Sequence, residues 1–221
     1  MMPQILFEDA HIIVAVKLPG VPVQPDKTGD ADMTALLPPG CKVVHRLDRT
    51  VGGVMVFAKT DAAASALSAA FAGEGAEKVY AAVAVGALPP ESTLTDWLLK
   101  NERLNVSKVV PRNTPRAKEA VLTCVRLAET DSEDGRLTLV RVTLQTGRHH
   151  QIRVQLAHAG APLWGDTKYN PAFLRRRGVF PALWAVRLAF LHPVTGEKLA
   201  FCCPPDAAVF ARFGLKSIVK L

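Results

Sequence analysis

This sequence of 221 residues predicts an α+β protein: a mixed, mainly antiparallel β-sheet core with flanking helices and loops. Three observations point there. Apolar, β-branched segments of strand length recur along the chain, and most are joined by short polar or glycine-containing turns. Strand pairs outnumber strand–helix–strand units, which argues against a doubly wound sheet. Only a few segments have helical composition.

Taken in order, "HIIVAVKLP" (11–19) has the composition of a strand, and "PGVPVQP" stops it with prolines and a glycine. "KVVHRLD" and "GGVMVFAKT" read as two strands flanking a turn at 48–53. "DAAASALSAAFAGEG" follows as a helix, with Asp61 as its N-cap and Gly73 as its stop. "EKVYAAVAVG" (77–86) reads as a strand with Tyr80 on one face. "EAVLTCVRLAE" and "RLTLVRVTLQTG" form an antiparallel pair across "TDSEDG", and "RHHQIRVQLAHAG" is a helix closed by Gly160. "EKLAFCCPP" is a further strand and "DAAVFARFG" a short helix. With no repeat, low-complexity tract or linker, residues 1–221 are expected to form a single domain.

Hydrophobic residues make up 49% of the chain and charged ones 21%, ordinary for a protein with a sizeable core. No apolar run reaches the roughly 18 residues needed to cross a bilayer. The first residues carry acids before their apolar run and no basic leader, unlike a signal peptide. Four cysteines show no CxxC spacing, so a reducing cytoplasm is the expected location. The net charge is +7, which suits a polyanionic partner such as RNA or DNA. Arg103, Lys108, Arg112, Arg116 and Lys118 crowd one stretch. Arg148, Arg153, Lys168, Arg175, Arg176 and Arg177 form a second, opposed by Asp166. The two read as basic loops walling a phosphate-lined groove, or simply as solvated charge.

Asp48 lies between Arg46 and Arg49, just after an apolar run. On the tetrapeptide alone it reads as a strand-end aspartate in a surface ion pair, worth about 0–1 kcal/mol. The sharper reading is a carboxylate paired with a guanidinium in a cleft, acting as nucleophile or base. Arg153 sits at the margin of a helical stripe made by Ile152, Leu156 and Ala159. From there it can turn inward to a buried acid or lay its stem on the core with its head in water. Tyr80 reads as a core ring or as a stacking, proton-relaying group. His45, Asp48, His149 and His150 show no HExxH spacing or carboxylate-rich cluster, so a metal-dependent nuclease is a minor reading. GxSxG, phosphate-loop and GxGxxG signatures are missing; "TVGGVMV" has glycines without the lysine.

Together these segments resemble the RluA-type RNA pseudouridine synthases. "HRLDRTVGG" is similar to that family's HRLD signature and "KVYAAVAVG" to its K-x-Y strand. "GRHHQIRVQLAHAGAPLWGDTKYN" is similar to its R-x-HQIR helix and GD-x-x-Y loop, and "LWAVRLAFLHPVTGEKLAF" to its closing segment. "ILFEDAHIIVAVKLPGVPVQP" resembles its opening strand and proline turn. The resemblance covers about residues 4–205, with the motifs in the family's order. It implies the pseudouridine synthase fold with a central RNA-binding cleft, and isomerisation of uridine to pseudouridine in rRNA or tRNA with no cofactor and no metal.

It also implies roles. Asp48 is the catalytic residue, Arg153 its ion-pair partner, and Tyr80 lies beside the uracil in proton removal at carbon 5. Arg46 displaces the target base, and His45, Arg148, Gln151 and Leu188 join it in contacting substrate. Arg112 and Arg116 are expected phosphate contacts. No membrane and no obligate protein partner are expected, nor the N-terminal RNA-binding module that many relatives carry; a monomer is. The chain departs from the pattern in three places. Val51-Gly52-Gly53 replaces Thr-Ser-Gly, His149 stands where Thr is usual, and Gln155 where His is common. The lost hydroxyls motivate an alternative, a catalytically impaired RNA-binding protein or chaperone on the same scaffold.

Overall fold

The computed structural model describes residues 2–214. In chain order the elements are β1 (Gln4–Glu8), β2 (Ile12–Lys17), α1 (Met33–Leu36), β3 (Lys42–Val43), β4 (Gly52–Ala58), α2 (Asp61–Ala72), β5 (Ala76–Val85) and β6 (Glu91–Asn101). They continue with β7 (Val106–Val109), β8 (Lys118–Ser132), β9 (Gly135–Leu144), α3 (Gln151–His158), β10 (Leu183–Leu191), β11 (Lys198–Cys202) and α4 (Ala208–Ala211). The described residues group into two compact units, 2–78 with 184–204, and 79–183 with 205–214. The α+β expectation holds: most pairings are antiparallel, with one parallel pair in the first unit.

In the first unit β2 is the pivot. It pairs antiparallel with β1 and with β4. Every residue of β2 and β4 is buried, so both read as continuous apolar runs, not as alternating strands. Ile12, Val14, Val54, Val56, Leu188 and Phe190 form one cluster, and Ala63 and Leu67 of α2 pack on it. β10 runs parallel to β4, with Trp184 opposite Gly52 and Ala185 opposite Gly53, and pairs antiparallel with β11.

Two sequence expectations change here. The strand foreseen over "KVVHRLD" is only Lys42–Val43. The His45 side chain accepts the Val56 N–H at 3.1 Å, filling the ladder position a longer β3 would have used. The charged residues thus leave the sheet at Val44. The N-cap of α2 is Thr60, whose hydroxyl accepts the Ala63 N–H, and Asp61 is the acid of the first turn. Gly73 does cap the other end.

In the second unit β5, β9, β8, β6 and β7 lie side by side in that order. β8 and β9 make the expected hairpin, longer than foreseen because the polar residues Thr130–Ser132 remain in register up to Ser132 opposite Gly135. The first basic stretch is not one loop: β6 extends to Asn101, β7 holds Lys108, and Lys118 opens β8. β6 alternates exposed and partly buried residues weakly, which explains why it carries little strand signal. α3 packs on this sheet through Val154 against Leu98 and Ala120, which fixes the side that Arg153 faces.

Candidate active site

Asp48 sits in a tight turn, its carbonyl accepting the Val51 N–H at 3.0 Å, just before β4. The turn is held from below by Lys17, the last residue of β2. This lysine has no exposed surface, and its ammonium donates to the carbonyls of Leu18 (3.1 Å), Val21 (2.7 Å) and Arg49 (3.0 Å). The Gly20 N–H also donates to the Arg49 carbonyl, at 2.8 Å. One buried cation thereby stitches the proline turn of "LPGVP" to the turn that carries Asp48. Burial lowers the Lys17 pKa to about 7, with the Asp48 carboxylate pulling it back up and the Arg49 guanidinium pushing it down. Sequence reasoning missed Lys17. Its only signal was a lysine closing a wholly apolar strand.

The residues around Asp48 divide sharply. The Arg49 guanidinium bonds Asp26, Thr28 and Asp30 of the exposed 26–30 loop. Arg46 is exposed and Leu47 buried. The His45 ring stacks on Phe71 with centroids 4.2 Å apart. Burial first, and the Lys78 ammonium second, push its pKa down to about 3. It is neutral, with Nε2 accepting from Val56, so that lone pair is committed to the sheet. Among the described residues no three His, Cys, Asp or Glu side chains are grouped as a metal site requires.

Gly52 and Gly53 account for one departure. A Cβ on Gly52 would fall on the Trp184 ring and 2.9 Å from Pro19 Cδ. At Gly53, φ is +129° and a Cβ would strike the Ala185 backbone. The missing serine hydroxyl is therefore matched by an indole occupying its space, and Trp184 is itself fixed by an Nε1–H bond to the Cys203 carbonyl at 2.8 Å.

In the second unit Tyr80 lies on β5 opposite Val142 and is buried. Arg153 is 3% exposed: the guanidinium turns inward. Its Nε donates to Asp166 Oδ2 at 2.7 Å and its Nη2 to Oδ1 at 2.9 Å. Asp166 Oδ1 also accepts the N–H groups of Lys168 (2.9 Å) and Tyr169 (3.2 Å). Burial raises the Asp166 pKa, and the Arg153 bonds and charge with these N–H groups outweigh it, so the net direction is downward. The Tyr169 ring covers the guanidinium at 5.2 Å. Asp166, counted in the sequence as a charge opposing a basic loop, is fully buried and orients Arg153.

The other expected residues are placed as follows. Gln151 is buried; its Oε1 accepts from Thr146 and from the Arg148 N–H, and its Nε2 donates to the Val121 carbonyl. Arg148 is exposed, with Nε on the Glu119 carbonyl. Leu188 belongs to the apolar cluster of the first unit. Arg112 and Arg116 are both exposed, Arg112 lying over Trp97 at 5.5 Å.

The sequence profile of the family described as RNA pseudouridylate synthase matches residues 11–158, spanning the Asp48 turn, Tyr80 and Arg153. This chain belongs to that family. Ribosomal large subunit pseudouridine synthase D of Vibrio cholerae is 34% identical, over 98% of this chain and 72% of that protein. The protein of the same description from Xanthomonas campestris is 34% identical, over 90% of this chain and 65% of its own length. The tRNA pseudouridine synthase C of Pasteurella multocida is 32% identical over 74% of this chain and 72% of its own length. The solved structure of human RNA pseudouridylate synthase domain containing 4 shares the fold, with a TM-score of 0.76 over 98% of this chain and 93% of its own at 23% identity. The RluA-type synthase is thus an enzyme that isomerises uridine to pseudouridine in RNA, and nothing in these likenesses favours the binding-only alternative. No described helix is long and apolar enough to cross a membrane.

Proposed function

We propose that this synthase modifies uridine within structured ribosomal or transfer RNA, with Asp48 as its catalytic carboxylate, and that it works as a cytoplasmic monomer. The observation that carries the reading is the Asp48 turn itself, an HRLD aspartate next to an Arg49 carbonyl that accepts from a buried lysine and from the Gly20 N–H, with the same lysine binding the Leu18 and Val21 carbonyls of the proline turn. A group that must meet an everted ribose needs a fixed backbone, and this turn has one.

The reaction is an isomerisation. The bond between uracil N1 and ribose C1′ breaks, the uracil turns, C5 bonds C1′, and C5 then gives up its proton while N1 gains one. No redox equivalent or donated group enters the balance. A base in a helix or stacked loop must first be flipped out, at a cost of a few kcal/mol. Arg46, exposed two residues before Asp48, is suited to fill the vacated place. Asp48 stabilises or attacks C1′, Arg153 serves as its counter-charge, and Tyr80 serves the proton at C5. Asp166 supports Arg153's orientation. Arg112 and Arg116, with exposed Arg148, Arg175 and Arg177, are proposed to meet phosphates.

Tritium release from ribosomal and transfer RNA labelled at uridine C5 tests the reading. Asp48→Asn is expected to lower release by at least about 10³-fold while RNA affinity stays within a few-fold. Undiminished release from that variant refutes the role of Asp48, and release from neither RNA class refutes the substrate.

A further inference from the structure

His149, half-buried just ahead of α3, has polar partners at both ring nitrogens. Its Nδ1 lies 2.9 Å from Ser107 Oγ on β7, and its Nε2 lies 3.0 Å from the Asn105 side-chain amide at the tip of the β6–β7 hairpin, whose nitrogen is the end that donates to a neutral ring protonated at Nδ1. The Ser107 hydroxyl donates its single proton to the His149 carbonyl at 2.8 Å, so the hydroxyl oxygen accepts from Nδ1–H. The hairpin is gripped again from the other side. The Ser107 N–H donates to the Tyr169 hydroxyl at 2.7 Å, and that hydroxyl is 2.8 Å from His150 Nδ1. Lys168 Nζ donates to the Asn105 carbonyl at 2.7 Å. The two imidazoles stack with centroids 3.8 Å apart.

The backbone supports this arrangement at two unusual positions. Asn105 has φ 49° and His150 has φ 56°, both left-handed without being glycine. His150 is also the residue from which α3 starts, with no side-chain cap of its own. Strained backbone on both sides of one hydrogen-bonded contact signals that the contact is held by its surroundings. The contact joins two things of different use. On one side is the hairpin carrying exposed Arg103, Leu104 and Lys108; on the other is the first turn of the helix that bears Arg153.

We propose that His149 is a positioning residue that fastens the β6–β7 hairpin to the start of α3, so that a basic finger meets RNA already formed. The RNA-contacting part rests on the function proposed above. Without the latch the hairpin has to be ordered at each encounter, which weakens binding and leaves the chemical step alone.

The test uses the full chain, His149→Ala, Ser107→Ala and the double variant, with hydrogen exchange of the free protein and steady-state kinetics on RNA. Each single variant is expected to speed exchange at residues 102–106 about tenfold and to raise KM about 5–10-fold, with kcat within about twofold. The double variant is expected to add little to either single one, because both residues serve one latch. Unchanged exchange at the hairpin, or additive effects, overturns the latch. Faster exchange with unchanged KM overturns the finger; if Arg112→Ala and Arg116→Ala also leave KM unchanged, the fault lies in the phosphate contacts proposed above and not in the hairpin alone. A fall in kcat at constant KM assigns His149 to the chemistry and overturns the positioning role.

Discussion

The turn bearing Asp48 and the helix bearing Arg153 are both immobilised, by opposite means. The Asp48 turn is tied through its backbone: three main-chain carbonyls converge on the Lys17 ammonium, and the following glycines wedge against Trp184 and Ala185. Arg153 is tied through its side chain, by a bidentate bond to a carboxylate that is itself pinned by two backbone N–H groups. The difference teaches where each half is vulnerable. A backbone clamp tolerates changes in the side chains it presents but depends on one cation; a side-chain clamp depends on the identity of both partners.

The sharpest way to break that contrast is to remove Asp166. Asp166→Ala removes the carboxylate that holds both Nε and Nη2 of the buried Arg153, and breaking such a buried pair typically costs about 3–5 kcal/mol. Urea unfolding is expected to show this loss, and Asp166→Asn a smaller one. A stability change under 1 kcal/mol for the alanine variant means that Arg153 is not held as described.

Lys17 should announce itself through pH. Its folded pKa, about 7, lies below its unfolded value of 10.5. Between those values the unfolded chain holds a proton that the folded chain lacks, so stability rises with pH across that window. Below about pH 7 the penalty is complete and constant. For one group the slope is roughly 1.4 kcal/mol per pH unit. Subtracting the ΔG–pH curve of Lys17→Met from that of the wild type isolates the slope; a flat difference curve between pH 7.5 and 10 shows that Lys17 is not desolvated.

Gly52→Ser restores the hydroxyl usual in the resembled motif and tests whether Trp184 has taken its place. Overpacking of about 1–3 kcal/mol is expected, seen in thermal unfolding, and Trp184→Ala should relieve most of it. A serine accepted without loss separates the indole from the glycine.

The smallest effect belongs to charges outside both clamps. Arg112→Ala should weaken RNA binding a few-fold and lower the slope of log K against log salt by about one. An unchanged slope removes Arg112 from the phosphate-contacting set.

Much of the fold was legible because burial in strands writes itself into local composition. β2 and β4 read as strands from their apolar composition, β5 from its alternation, α2 as an alanine-rich helix ended by Gly73, and β8–β9 as a hairpin. For Asp48, Tyr80 and Arg153 the residues alone left bland readings open, and their roles came from the family resemblance of the motifs around them. What escaped depends on neighbours distant in the chain. β3 ends early because a histidine side chain caps β4. Asp166, 13 residues beyond Arg153, looks like any surface acid until folding buries both.

The sequence by itself determined the class of fold and the catalytic family, since both are encoded in residue type, order and short-range spacing, and through the family resemblance it pointed to the aspartate proposed to carry the chemistry. Only the tertiary structure decided what holds those residues still: Lys17 beneath one turn, Asp166 behind the arginine, Trp184 against Gly52, and the histidine latch on the hairpin. Such supports arise from hydrogen bonds and exclusion of water between segments far apart along the chain, and neither leaves a periodic trace in the order of amino acids.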